Sequence, residues 1–155
     1  MNVIYLIAWL TGIIWGLALF NHVQGYEFNR FGIYPWDLQA LTGVHAWGVL
    51  HADLTHLLIN TTPLLFMRFF VALRGPVLLV KITLTIWVIA GLAVWVFGRS
   101  AIHIGASGLV FGYFGFILAV AIYERSLFDL GVASLTMFYY GGMFFGIPPV
   151  QAFVS

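Results

Sequence analysis

Charge is what this sequence has least of. Only 7% of its 155 residues are Asp, Glu, Lys or Arg, against about 25% in a soluble domain. So few charges cannot solvate a globular surface. With 63% apolar and 18% aromatic residues and a mean hydropathy of +1.04, the expected solvent is lipid. Cysteine is absent, which excludes disulfides, thiol catalysis and thiolate metal sites. The six Lys and Arg are scattered and the formal net charge is +1, so there is no basic patch for a nucleic-acid partner. The N-terminus has no basic n-region, and no small-residue cleavage site follows residue 20. Residues 3–21 therefore read as a retained helix rather than a signal peptide. No internal repeat or low-complexity segment is evident, and residues 1–155 read as a single membrane domain.

A membrane-spanning helix needs about 20 mostly apolar residues. Five stretches qualify: residues 3–21, 51–73, 77–97, 105–123 and 127–147, the last broken by Pro148-Pro149. The fold class predicted is an all-α polytopic transmembrane helix bundle. Gly12 and Gly16 give the first span a small-xxx-small stripe for helix packing. Residues 22–50 differ, with Glu27, Arg30, Asp37, Pro35, Gly25, Gly32 and Gly43 among Tyr26, Tyr34, Trp36 and Trp47. Tryptophan and tyrosine favour the membrane interface, so a long amphipathic loop with short surface helices is expected there. Arg68 and Arg74, near the far end of the second span, are expected to snorkel to water. Arg74-Gly75-Pro76 reads as a tight turn with proline opening the next helix. With the N-terminus inside, Arg68, Arg74, Lys81 and Arg125 fall on the inner side, against Arg30 and Arg99 outside. That is a positive-inside bias, and it puts His51 and Ser107 near the outer face.

Two polar stretches open apolar spans. In the first, His51-Ala52-Asp53-Leu54-Thr55-His56-Leu57-Leu58-Ile59-Asn60, residues His56 and Asn60 are four apart and share one helix face. Within a bilayer such a stripe either lines a polar cavity or bonds to a neighbouring helix. Both side chains can donate hydrogen bonds to a developing negative charge, as an oxyanion hole requires. The second stretch is Gly105-Ala106-Ser107-Gly108. Its serine could simply bond back to its own helix. Gly105, Gly108, Gly112 and Gly115 form an almost side-chain-free face, suited to close helix packing or to the approach of a substrate backbone. This is not the Gly-x-Ser-x-Gly elbow of soluble hydrolases, which follows a strand. A metal or haem site built from His45, His51, His56 and His103 is disfavoured. No Glu or Cys accompanies them, and on a straight helix His51 and His56 would stand about 140° apart.

Taken together, His-x-x-x-x-His-x-x-x-Asn before one span and Gly-x-Ser-Gly before another resemble the rhomboid family of intramembrane serine proteases. Tyr34-Pro35-Trp36 through Asn60-Thr61-Thr62-Pro63-Leu64-Leu65 is similar to the first loop and second helix of its short bacterial members. His103-Ile104-Gly105-Ala106-Ser107-Gly108-Leu109-Val110-Phe111-Gly112 is similar to the start of their fourth helix. The resemblance implies that Ser107 is the nucleophile. His56 and Asn60 would donate to the oxyanion with the Ser107 backbone N–H, and His51 would support the loop above. Gly105 would belong to that motif, and Gly108 and Gly112 would admit a sixth helix against the fourth. No metal or organic cofactor is implied. The partners would be transmembrane client proteins and the lipid bilayer, in a multi-pass bacterial inner (plasma) membrane protein. The chain departs from the family at one point. Rhomboids pair the serine with a histidine on a sixth helix, whereas every histidine here precedes Ser107. The expectation is therefore a C-terminally incomplete, five-span part of a six-span protease, inactive by itself without the dyad histidine. The alternative is a non-catalytic rhomboid-like protein that binds transmembrane clients.

Overall fold

A computed structural model describes residues 2–142. They form an all-α polytopic bundle: α1 (Val3–Val23), α2 (Leu54–Ala72), α3 (Pro76–Phe97), α4 (Ser107–Glu124) and α5 (Leu127–Tyr140). Two 3₁₀ segments, Glu27–Phe31 and Ala40–His45, lie in the α1–α2 loop. The first four helices are long and apolar enough to cross a membrane, and α5 is a shorter apolar helix. The remainder of the expected fifth span, residues 143–147, lies outside the described residues, as does Pro148-Pro149.

Local chemistry sets the helix starts. Asn2 caps α1 by accepting the Ile4 N–H at 3.0 Å. Asp53 caps α2 in the same way, through His56 N–H at 2.7 Å. Ser126 caps α5 by accepting the Asp129 N–H at 3.0 Å. Pro76 opens α3 behind Gly75, whose φ of +117° only glycine adopts readily. α4 packs against α2, α3 and α5, while α1 packs on α2. The core therefore centres on α4, where Leu109, Val110, Tyr113 and Phe114 meet Leu57, Leu64 and Met67 of α2.

The α1–α2 loop is fastened to α3 and to the α3–α4 loop. Trp87 Nε1 donates to Val44 O at 2.7 Å, and Trp95 Nε1 donates to Asp37 O at 2.9 Å. Ile33 and His103 form an antiparallel bridge, exchanging backbone hydrogen bonds of 3.0 and 2.8 Å.

Three expectations need correction. Arg68 does not snorkel: it is 1% exposed, between α1 and α4, and its Nη1 donates to Thr11 Oγ1 at 3.1 Å. Orientation then rests on Arg74, Lys81 and Arg125 against Arg30 and Arg99. Trp47 is no interfacial anchor: it is 3% exposed and its ring packs against Trp87, centroids 5.4 Å apart. Trp36, by contrast, is exposed. Finally, α2 starts at Leu54 rather than at residue 51, because the Asp53 carboxylate caps the helix by accepting the otherwise free His56 N–H.

Candidate active site

The cap at Asp53 leaves His51 in the loop, not on the helix. The two histidines are therefore not splayed around one cylinder; their rings meet edge to face, centroids 5.3 Å apart. His51 is 1% exposed. Its Nε2 accepts the Ala106 N–H at 3.3 Å, so the ring proton sits on Nδ1 and is donated to Val49 O at 3.3 Å. Burial, with the neighbouring His56 adding to it, pushes the His51 pKa from 6.5 down to about 4. The ring is thus neutral at pH 7, as its two hydrogen bonds require. Asn29 ties the same turn to the loop by donating to His51 O at 3.2 Å.

On the other side of this contact is Gly105. Its φ is +112°, and an added Cβ would stand 2.5 Å from His56 Cε1. Only glycine permits both the backbone turn and the approach of the ring. The Gly105 N–H donates to Trp47 O at 2.8 Å. The chain then passes Ala106 and begins α4 at the half-buried Ser107. No side chain caps α4, so the positive end of its dipole and its first N–H groups lie at Ser107. His51 and His56 are thus held against Gly105 and Ala106, the two residues that lead into Ser107.

Asn60 lies one turn below His56 and is 4% exposed. Its Nδ2 donates to His56 O at 3.0 Å along its own helix, which uses one of its two amide hydrogens. The glycine face of α4 is already filled on one side. A Cβ at Gly108 would stand 2.6 Å from Trp47, and one at Gly112 would collide with Ile86 of α3. Among the described residues, Gly108 receives the buried tryptophan and Gly112 receives α3. His45 is exposed at the end of the second 3₁₀ segment, and His103 faces the Arg99 carbonyl at 3.0 Å. Sequence reasoning missed Trp47, which supports Gly105 and Gly108, and Asp53. Asp53 carried a readable signal, an N-cap residue three before His56; Trp47 carried none.

Four apolar spans and a neutral, hydrogen-bonded polar cluster where α2 and α4 begin define an integral membrane protein with a polar centre at one end of its bundle. The chain belongs to the rhomboid family: the sequence model of the Rhomboid domain matches residues 41–155. It is 33% identical over 146 residues to an uncharacterized protein of Mycobacterium tuberculosis and to one of Mycobacterium bovis, an alignment covering 90% of this chain and 61% of theirs. A Mycobacterium leprae protein, also uncharacterized, is 31% identical over 144 residues, covering 89% and 57%. The chain therefore spans about 61% of the length of the curated relatives it matches first. No solved structure matches it.

Proposed function

We propose that the complete protein is an intramembrane serine endopeptidase that cuts client proteins in or near a transmembrane segment. Ser107 attacks the scissile carbonyl. His56, the second amide hydrogen of Asn60 and the uncapped N-terminus of α4 receive the negative charge that develops on oxygen. A serine hydroxyl needs a base to take its proton, and that base is a histidine outside these 155 residues. A client helix must unwind to offer its carbonyl, so helix-breaking residues near the cut are expected.

The observation that carries this reading is the junction of α2 with the α4 entry. His56 lies on Gly105, and His51 accepts the Ala106 N–H. That brings a hydrogen-bonding histidine to the turn that presents Ser107, at a water-facing end of the bundle.

Reconstituted with a transmembrane client, the complete protein should lose all cleavage with Ser107→Ala and about 10²–10³-fold in kcat with Asn60→Ala. A serine-reactive fluorophosphonate should label the wild type and not Ser107→Ala. Cleavage that survives Ser107→Ala would rule the mechanism out. Client binding without any cleavage would favour the non-catalytic binder.

A further inference from the structure

The least expected charge in the molecule is Arg68. A guanidinium stays protonated in proteins, and a buried charge is ordinarily paired. The sequence has five side-chain carboxylates. Glu27, Asp37, Asp53 and Glu124 are exposed, and Asp129 is bound to Arg74. None is paired with Arg68. Its neighbours are neutral: the Thr11 hydroxyl of α1 and the ring of Tyr113 on α4, whose centroid lies 6.0 Å from the guanidinium carbon. The Tyr113 hydroxyl is in turn bonded to Thr83 of α3. Among the described residues, Arg68 Nε has no hydrogen-bond partner.

The position of this cation suggests a use. Arg68 is eight residues along α2 from Asn60, on the same face through the buried Leu64. Helical side chains lean toward the N-terminus of their helix, and the α2 N-terminus is the end that holds His56. Tyr113, which the guanidinium approaches, is six residues below Ser107 on α4. At 1.5 Å per residue Tyr113 lies roughly 9 Å along α4 from Ser107 and Arg68 roughly 12 Å along α2 from Asn60, so the charge is on the order of 12 Å from Ser107. Leu64 on α2 and Leu109 and Val110 on α4, which lie between these positions in sequence, are all buried, so little water screens the charge.

We propose that Arg68 is a positioning residue for charge: an internal cation, deliberately left without a carboxylate, whose field favours negative charge at position 107. It touches no substrate and acts through the bundle interior. Unit charges roughly 12 Å apart, at an effective dielectric of about 20, shift each other's ionisation by about one pH unit, or about tenfold. The catalytic consequence, a lower barrier to the oxyanion, rests on the protease reading above. The field itself does not.

The chain has no cysteine, so Ser107→Cys introduces a single thiol at the place of interest. Its pKa is read from the pH dependence of alkylation by iodoacetamide in detergent micelles. In that background Arg68→Met should raise the thiol pKa by about one unit, and Arg68→Lys should leave it nearly unchanged. Should Arg68→Met fail to fold, Thr11→Asp supplies the missing carboxylate beside Nη1 with the arginine retained. It should raise the thiol pKa by a similar amount. His51, His56, Asp53, Arg99, His103 and the α4 N-terminus also act on position 107, but they are common to all variants and cancel in the differences. A thiol pKa unmoved by Thr11→Asp, or moved equally by Arg68→Lys and Arg68→Met, would overturn the proposal. In the serine protein, Thr11→Asp should lower kcat about tenfold with KM unchanged. If the thiol pKa shifts but cleavage survives Ser107→Ala, the internal field stands and the protease reading falls.

Discussion

The two ends of the bundle handle polarity by opposite means. Where α2 and α4 begin, the buried groups are neutral and mutually bonded: His51 to Ala106 and Val49, Gly105 to Trp47, Asn60 to the His56 carbonyl. Where α2 ends and α5 begins, charge is used openly. Arg74 is paired with Asp129, and Ser126 donates to the same carboxylate at 2.5 Å. Neutral groups hold a geometry with little sensitivity to salt. An ion pair at the water boundary fastens a helix start but is screened. The difference implies that the first end is built to keep a shape and the second to anchor a connection.

The comparison can be broken most forcefully at Gly105. Gly105→Ala would have to adopt a backbone conformation unfavourable for alanine and displace the His56 ring. We expect a loss of about 2–4 kcal/mol, seen as a large fall in thermal stability in micelles. A variant as stable as the wild type would show that the turn is not the tight junction described.

A pH titration sharpens the contrast next. His51 binds its proton less readily in the folded state, so the unfolded chain takes up more protons as pH falls below 6.5. Its stabilising contribution is complete above 6.5, and is lost progressively down to about 4. The loss amounts to something on the order of 3 kcal/mol. His51→Phe should flatten that part of the stability–pH curve, whatever it does to stability at pH 7. An unchanged curve would contradict a buried neutral imidazole.

The smallest effect belongs to the other end. Asp129→Asn should cost about 1 kcal/mol or less, and the difference from wild type should shrink in about 1 M salt. Cleavage by Asp129→Asn should remain close to wild type if this pair serves only as an anchor.

Much of this architecture could be read from the sequence, for identifiable reasons. Runs of about 20 apolar residues have few alternatives to a spanning helix. Gly75-Pro76 marks a helix start chemically. The histidine–asparagine and glycine–serine stretches pointed to the two helix entries that the structure packs together. What could not be read is which side of each helix faces protein. Helices that are apolar nearly all round carry no stripe to separate core from lipid. Arg68, six residues before Arg74, is equally compatible by spacing with snorkelling and with burial. The α4 glycines announced a close approach but not its occupant, which proved to be Ile86 and Trp47. Trp47 itself was assigned to the interface by composition, whereas the buried faces of α3 and α4 claimed it.

The bond between His51 and Ala106 joins residues 55 positions apart. At about 5–20 residues per second of synthesis, roughly 3–11 s separate the emergence of its two partners. During that interval α2 and α3 are made and inserted as a hairpin, and the α2 entry stays unsealed. Assembly of this centre therefore waits for the α4 entry, and the nascent protein must pass that interval with its polar groups in other company.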